Sequence, residues 1–339
     1  MSPDISRAWE ELERDAEAER ADAEPSRLFR ALGRSAVGIR ASYIPKDRII
    51  ELLIEVPSAW DGRESLPSWR GMQFEMLQLP LPPRRDVDHL RLYLVDQEHK
   101  NVFVTFCQDL VDSLEGITKP STRVREIEEC ISRWGRFFEK CGTEGLSRTQ
   151  QRGLFAELDW LAKMLNGGVD VLDAVKSWKG CERNYHDFDL GGHILEVKST
   201  ISKEPRSVRI NNERQLDDRG LTSLHLFVLT LHDVEGGGIS LPDQVHALRN
   251  SLAGSASARA RFERGLVSAG YLDAHANRYG VEYNIRNAEL FKVYEGFPRI
   301  VDLPPGTGRL RYSVSISSCK LFEIDTEDHL DTLAGRRDA

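Results

Sequence analysis

Asp187, Glu196 and Lys198 are the residues of this chain whose types and spacing could do chemistry. They lie in NYHDFDLGGHILEVKST, residues 184–200. Side chains alternate along a strand, so Glu196 and Lys198 share a face. Gly191-Gly192 has the composition of a two-residue hairpin turn. Such a turn pairs Leu190 with His193, Asp189 with Ile194, Phe188 with Leu195 and Asp187 with Glu196. Directly opposed Cβ atoms stand about 4.5–5.5 Å apart. Two carboxylates at that separation repel unless a cation lies between them, and hard oxygen ligands suit Mg²⁺, with Mn²⁺ as a substitute. A cation there polarises a phosphate and lowers the pKa of water. A lysine one pleat along can orient the attacking water and offset charge on the phosphate oxygens. The chemistry this arrangement could perform is metal-dependent phosphodiester hydrolysis. An E-x-K triplet alone is more often a solvated strand face. Here the opposed aspartate and an apolar opposite face (Phe188, Leu190, Leu195, Val197) set it apart. A turn longer by one residue would slip the register and reopen the choice between Asp187 and Asp189.

The elements around this hairpin are those needed to hold it. Ser147, with Gln150 three residues on, caps a helix running to about Leu165, where Asn166-Gly167-Gly168 stops it. Leu154, Leu158, Leu161 and Leu165 form its core stripe, and Glu157 sits beside that stripe. A carboxylate so placed needs a partner; it is either a boundary salt bridge or part of the site. After the hairpin, the pattern predicts a short strand at 207–210, a helix over 211–219 and a buried strand at 224–231. Helices over 242–253 and 256–270 follow, then strands within 281–293 and 309–324, and a polar, frayed tail from 327. Upstream, 6–21 reads as an acidic, solvated helix. Residues 49–56, 73–79, 90–95 and 102–106 read as strands, and 121–141 as a helix. Pro80, Pro82 and Pro83 break the chain between two of these strands. No internal repeat or low-complexity tract is evident.

The order helix, strands with D…E-x-K, helix, strand resembles the PD-(D/E)XK nuclease superfamily, which includes restriction endonucleases and Holliday-junction resolvases. GLFAELDWL (153–161), HDFDL (186–190), LEVKST (195–200) and INNERQL (210–216) look like the motifs of the bacterial family called PD-(D/E)XK motif proteins, and LLIEVPSAWD (52–61) and LPSWRGM (66–72) are similar to its N-terminal half. The resemblance implies an α/β (α+β) fold with a restriction-endonuclease-like core, a central mixed sheet flanked by helices. Its expected divisions are an N-terminal α+β module (1–120), the nuclease core (121–235) and a C-terminal helical and strand extension (236–339). It also implies the roles. Asp187, Glu196 and Glu157 would bind the metal, Lys198 would assist the water, and Gln215 would touch water or phosphate or merely cap a surface. His186 stands where the motif's literal proline would be, as DNA contact or spectator. The context implied is a restriction or phage-defence system, with DNA as substrate and a methyltransferase and a helicase-like ATPase as partners; a homodimer is a further expectation. The rival readings are a junction-resolving or repair nuclease and a non-cleaving, nucleic-acid-binding scaffold.

Bulk properties agree with an intracellular setting. The 339 residues exceed what one core usually holds. No apolar run reaches the ~20 residues of a membrane span, and the N-terminus has no signal core, so a cytoplasmic protein without membrane contact is expected. Five cysteines without C-x-x-C spacing argue against a zinc site or disulfide framework. The net charge is −8, of which residues 1–26 carry nine acids against three bases; the remainder is near neutral. A strong nonspecific grip on DNA is therefore not expected. Lys203, Arg206, Arg209, Arg214 and Arg219 are interleaved with acids and read first as a solvated face. Arg259, Arg261, Arg264, Arg309 and Arg311 are a second candidate patch. Gly306-Thr307-Gly308 reads as a turn, and Trp178 as core or cleft lining.

Overall fold

The computed structural model describes residues 4–19, 27–32, 38–58, 60, 62, 66–69, 71–79, 87–141, 145–180, 186–304, 306 and 310–335. Pro80, Pro82, Pro83, Cys181, Arg309 and the end of the Gly306-Thr307-Gly308 stretch lie outside them. The chain divides into two compact units, 1–144 and 145–339. Sequence reading places divisions after 120 and 235. The helix Pro120–Cys141 instead packs within the first unit, and 236–339 completes the sheet that carries the hairpin.

The first unit is an antiparallel sheet with helices. Strands β1 (Leu28–Ala31), β2 (Ile39–Ile44), β3 (Ile49–Val56), β4 (Met72–Gln78) and β5 (Asp88–Leu94) lie in the order β1-β2-β3-β5-β4. Helix α1 (Ile5–Glu19) is acidic but not simply solvated. Ile5, Ala8, Trp9, Leu12 and Ala16 recur at helical spacing and are buried, and the Trp9 indole donates to the Glu51 carbonyl. The strand expected at 102–106 is part of helix α2 (Lys100–Leu114). Its β-branched residues mislead locally, but Val102, Phe103, Phe106, Cys107, Leu110 and Val111 bury one helical face. Helix α3 (Pro120–Cys141) follows where a helix is expected, with Ile127, Cys130, Trp134 and Phe137 buried.

The second unit begins with α4 (Arg148–Asn166), whose Ser147–Gln150 capping box is present, and α5 (Val171–Ser177). Strands β6 (Phe188–Leu190) and β7 (His193–Thr200) form the hairpin. Then come β8 (Ser207–Ile210), β9 (Ser223–Val234) and β10 (Ile239–Ser240), and helices α6 (Leu241–Ser251) and α7 (Ala256–Ala269). The chain closes with β11 (Glu282–Val293), β12 (Tyr312–Ser315), α8 (Ile316–Cys319), β13 (Glu323–Ile324) and α9 (Thr326–Leu333). The central mixed sheet runs β10-β11-β9-β7-β6, with β13 on β11. β7 and β9 are parallel; the other pairs are antiparallel. β8 leaves this sheet to pair with β12. One sheet face meets α4 through Trp160 on Phe227. The other carries Ile194, Leu224, Leu226 and Val228, sealed by Val208, Ile210, Leu216, Val314 and Ile316. The helix expected over 211–219 is only a 3-10 turn, Glu213–Leu216, because Leu216 is its single buried residue. The tail expected to fray forms α9, anchored by His329 and Leu330. The architecture is thus α+β with a central mixed sheet and flanking helices. Among the described residues no helix is long and apolar enough to cross a membrane.

Candidate active site

The Gly191-Gly192 turn has φ of 62° and 89°, a left-handed pair open to glycine at little cost. Beyond it Leu190 pairs with His193, Asp189 with Ile194 and Phe188 with Leu195. The ladder then stops, and Phe188 bridges to Trp178 on its other side. Asp187 therefore lies one residue past the ladder rather than in a backbone pair with Glu196. Its Oδ2 accepts the N–H of Val197 at 2.8 Å. Its carbonyl accepts the N–H groups of Lys179 and Gly180 at 2.7 and 3.0 Å. Asp189 is engaged differently: its Oδ1 accepts the Gly192 N–H at 3.1 Å and closes the turn.

Glu196 is 1% exposed. Its Oε1 accepts from Lys198 Nζ, while Oε2 is buried without a hydrogen-bond partner. Burial pushes its pKa well up; the Asp187 charge adds to this, Lys198 opposes it and Glu157 adds further. Lys198 has burial pulling its pKa down, but Glu196 and Asp187 pull harder the other way, so the ammonium is retained. An unpartnered buried carboxylate oxygen costs about 1–3 kcal/mol or more, so the site stores strain until a cation or donor reaches Oε2.

Glu157 projects from α4, and its Oε2 accepts the Trp178 indole N–H at 2.8 Å. A Cβ built on Gly180 would lie 2.6 Å from Glu157 Oε2 and 2.9 Å from Asp187 Oδ1. The two carboxylates thus both crowd Gly180, leaving no room for a Cβ there, and their charges are both felt at Glu196 and Lys198. Gln215 is placed apart in role. Its Oε1 accepts the Asn211 N–H at 2.8 Å, a loop-closing bond. His186 donates from Nε2 to the Arg214 carbonyl at 3.1 Å, tying the neighbouring 3-10 turn to the hairpin. Of the candidate basic residues, Arg206 pairs with Glu204 and Glu289, Arg219 with Asp217 and Asp302, and Arg259 with Glu263.

The donor set fits a hard divalent cation: three carboxylates whose charges meet, one with an orphaned buried oxygen. Among the described residues no group of three His, Cys, Asp or Glu side chains is already spaced to hold a metal ion. Binding would therefore have to draw Asp187, Glu157 and Glu196 together.

A protein-family profile matches residues 5–317, and its family is described as "Putative PD-(D/E)XK family member" (DUF4420). The chain belongs to that family. The match spans both units and includes every candidate residue above. No curated protein and no solved structure matches the chain. Membership of the PD-(D/E)XK family indicates a nuclease-like fold, and nucleases of this kind generally use divalent metals such as Mg²⁺. Sequence reading offered Trp178 as core or cleft lining but not as a partner of Glu157, and it missed Gly180. Trp-Lys-Gly at 178–180 has no spacing that announces a role; only the tertiary fold brings it against Glu157 and Asp187.

Proposed function

We propose that this chain is a Mg²⁺-dependent DNA endonuclease, the cleavage subunit of a restriction or phage-defence system acting in the cytoplasm. The observation that carries the reading is the buried, unpartnered Oε2 of Glu196 with Asp187 and Glu157 acting on it and Lys198 on its other oxygen. A protein gains nothing in stability from such a carboxylate, and strain of this kind concentrates where it serves function. Asp187, Glu196 and Glu157 would hold the cation. When bound, the cation would supply Lewis acidity toward a phosphodiester oxygen and the positive charge that lets the carboxylates stay ionised together.

The chain's own residues do the rest. The Val197 N–H fixes the Asp187 carboxylate against β7. Lys198 Nζ carries three donors; released from Glu196 Oε1, it can orient a water and meet negative charge on the phosphate oxygens. Family membership supports the nuclease-like fold, and DNA, a methyltransferase and a helicase-like ATPase are the partners the reading implies. The test is cleavage of linear duplex DNA with Mg²⁺ or Mn²⁺, with EDTA and the variants Asp187→Ala and Lys198→Ala as controls. Cleavage that survives both variants would overturn the reading.

The net charge of −8 favours a second reading, a non-cleaving scaffold that keeps the fold. No Mn²⁺ binding by calorimetry would favour it. Preference for branched over linear DNA would point to a junction-resolving nuclease.

A further inference from the structure

Residues 178–180 form a strap between α5 and the hairpin, and two observations join it to the candidate cation site. The Trp178 indole N–H donates to Glu157 Oε2 at 2.8 Å. The backbone N–H groups of Lys179 and Gly180 donate to the Asp187 carbonyl at 2.7 and 3.0 Å. One short segment therefore holds both outer carboxylate residues. We propose that Trp178 is a positioning residue that fixes Glu157 beside Asp187, and that position 180 must be glycine to leave the space between the two carboxylates open. This rests on the reading of Asp187, Glu196 and Glu157 as cation ligands.

The surroundings are built for the strap. Trp178 is 2% exposed and packs on Phe262 of α7 with ring centroids 5.9 Å apart. A Cβ on Gly265 would meet the Trp178 ring at 2.7 Å, so α7 approaches the indole closely through a glycine. The Phe188 bridge fixes the strap's backbone to β6. The indole thus cannot swing away, and its single donor has one orientation. A carboxylate held this way has one oxygen fixed by the indole, the arrangement by which outer partners orient metal ligands. Gly180 acts by exclusion. A methyl group there would land 2.6 Å from Glu157 Oε2 and 2.9 Å from Asp187 Oδ1. Those oxygens end flexible side chains, so the fold can tolerate the clash by moving the ligands themselves.

The test is Mn²⁺ titration by calorimetry on the full chain, with thermal unfolding alongside and the indole N–H proton followed by NMR. Trp178→Phe keeps the ring against Phe262 and removes the donor. It should weaken Mn²⁺ binding about tenfold in the wild-type background and add nothing further in Glu157→Gln. A purely structural role would give equal losses in both backgrounds and would overturn the proposal. Gly180→Ala should lower Mn²⁺ affinity without loss of folding and move the Trp178 indole resonance. If Trp178→Phe fails to fold, that variant decides the matter, and an unmoved resonance with unchanged affinity counts against us. Wild-type affinity in both variants overturns the positioning role and leaves the cation site standing. Absence of any wild-type Mn²⁺ binding that Asp187→Ala or Glu196→Ala reduces overturns the cation-site reading and this inference with it. The Trp178–Glu157 bond can still be read in that case from the indole shift in Glu157→Gln.

Discussion

The side chain of Asp187 is held by the backbone of Val197, Oδ2 to N–H at 2.8 Å. The aspartate is thereby anchored to the same strand that carries Glu196 and Lys198, although the ladder ends one residue before it. This bond separates two substitutions that sequence alone would treat alike. Asp187→Asn keeps an acceptor for Val197 and removes a charge that raises the Glu196 pKa. It should stabilise the metal-free protein by about 1 kcal/mol, while Asp187→Ala, which loses the bond, should destabilise it by about 1 kcal/mol. Urea unfolding in EDTA measures both; equal losses would count against the bond.

Mg²⁺ or Mn²⁺ should raise the unfolding temperature of the wild type in a concentration-dependent way, since a ligand that binds only the folded state stabilises it by mass action. EDTA should reverse the shift, and Asp187→Asn should lack it. A wild type whose unfolding temperature ignores both ions would contradict the carboxylate site.

Lys198→Met should still fold, less stably without metal, and abolish cleavage. Its Nζ is committed to Glu196 Oε1, so removal leaves a buried carboxylate with no ammonium beside it. Metal-free stability should therefore fall by about 3–5 kcal/mol and be regained on adding Mn²⁺. Denaturant unfolding with and without the ion checks this, and stability that falls but does not recover argues against a cation at Glu196.

Acid should loosen α9. The rings of His225 and His329 lie 4.1 Å apart. Burial drives the His225 pKa down to about 3 and the His329 pKa down to about 4, from 6.5; the His329 imidazole also opposes charge on His225, and His193 and Lys292 add to both shifts. A folded-state pKa below the unfolded one means that the unfolded chain binds the extra protons. The stability is fully present above pH 6.5 and declines as pH falls toward 4 and then 3. Each imidazole should withdraw up to about 2–3 kcal/mol by pH 4.5. His329→Phe, which keeps a ring beside Trp160, should flatten the acid limb of a stability-against-pH curve; an unchanged slope would show that the pair is not the sensor.

Gly192→Ala should destabilise by more than about 1 kcal/mol. Its φ is 89°, and an added Cβ would meet Thr222 Oγ1 at 2.6 Å. At Gly191, where φ is 62° and nothing lies within 4 Å, the same change should cost less. Thermal unfolding of the two single variants ranks them.

The hairpin was legible from sequence because its information is local. A Gly-Gly turn sets register, period-2 alternation sets the faces, and together they place Glu196 and Lys198 on one side of β7. The capping box at Ser147 was legible for the same reason. Elements whose type depends on what they pack against were not. Residues 102–106 have strand-like composition, but a helical face of seven buried residues overrides it. The 211–219 segment has helix-forming residues but only one to bury, and so makes a single turn. The acidic N-terminal helix hides an apolar stripe built around Trp9.

Within the candidate site, sequence by itself singled out Asp187, Glu196 and Lys198 and the register of the hairpin beside them. Only the tertiary structure decided that Asp187 binds Val197 rather than pairing with Glu196, that Asp189 closes the turn, and that Gln215 caps a loop. It also brought Glu157, Trp178 and Gly180 to the hairpin from outside it. The physical reason is range. Strand periodicity acts over two residues, whereas the orphaned oxygen of Glu196 and the carboxylates around it exist only where separate elements close over one buried point.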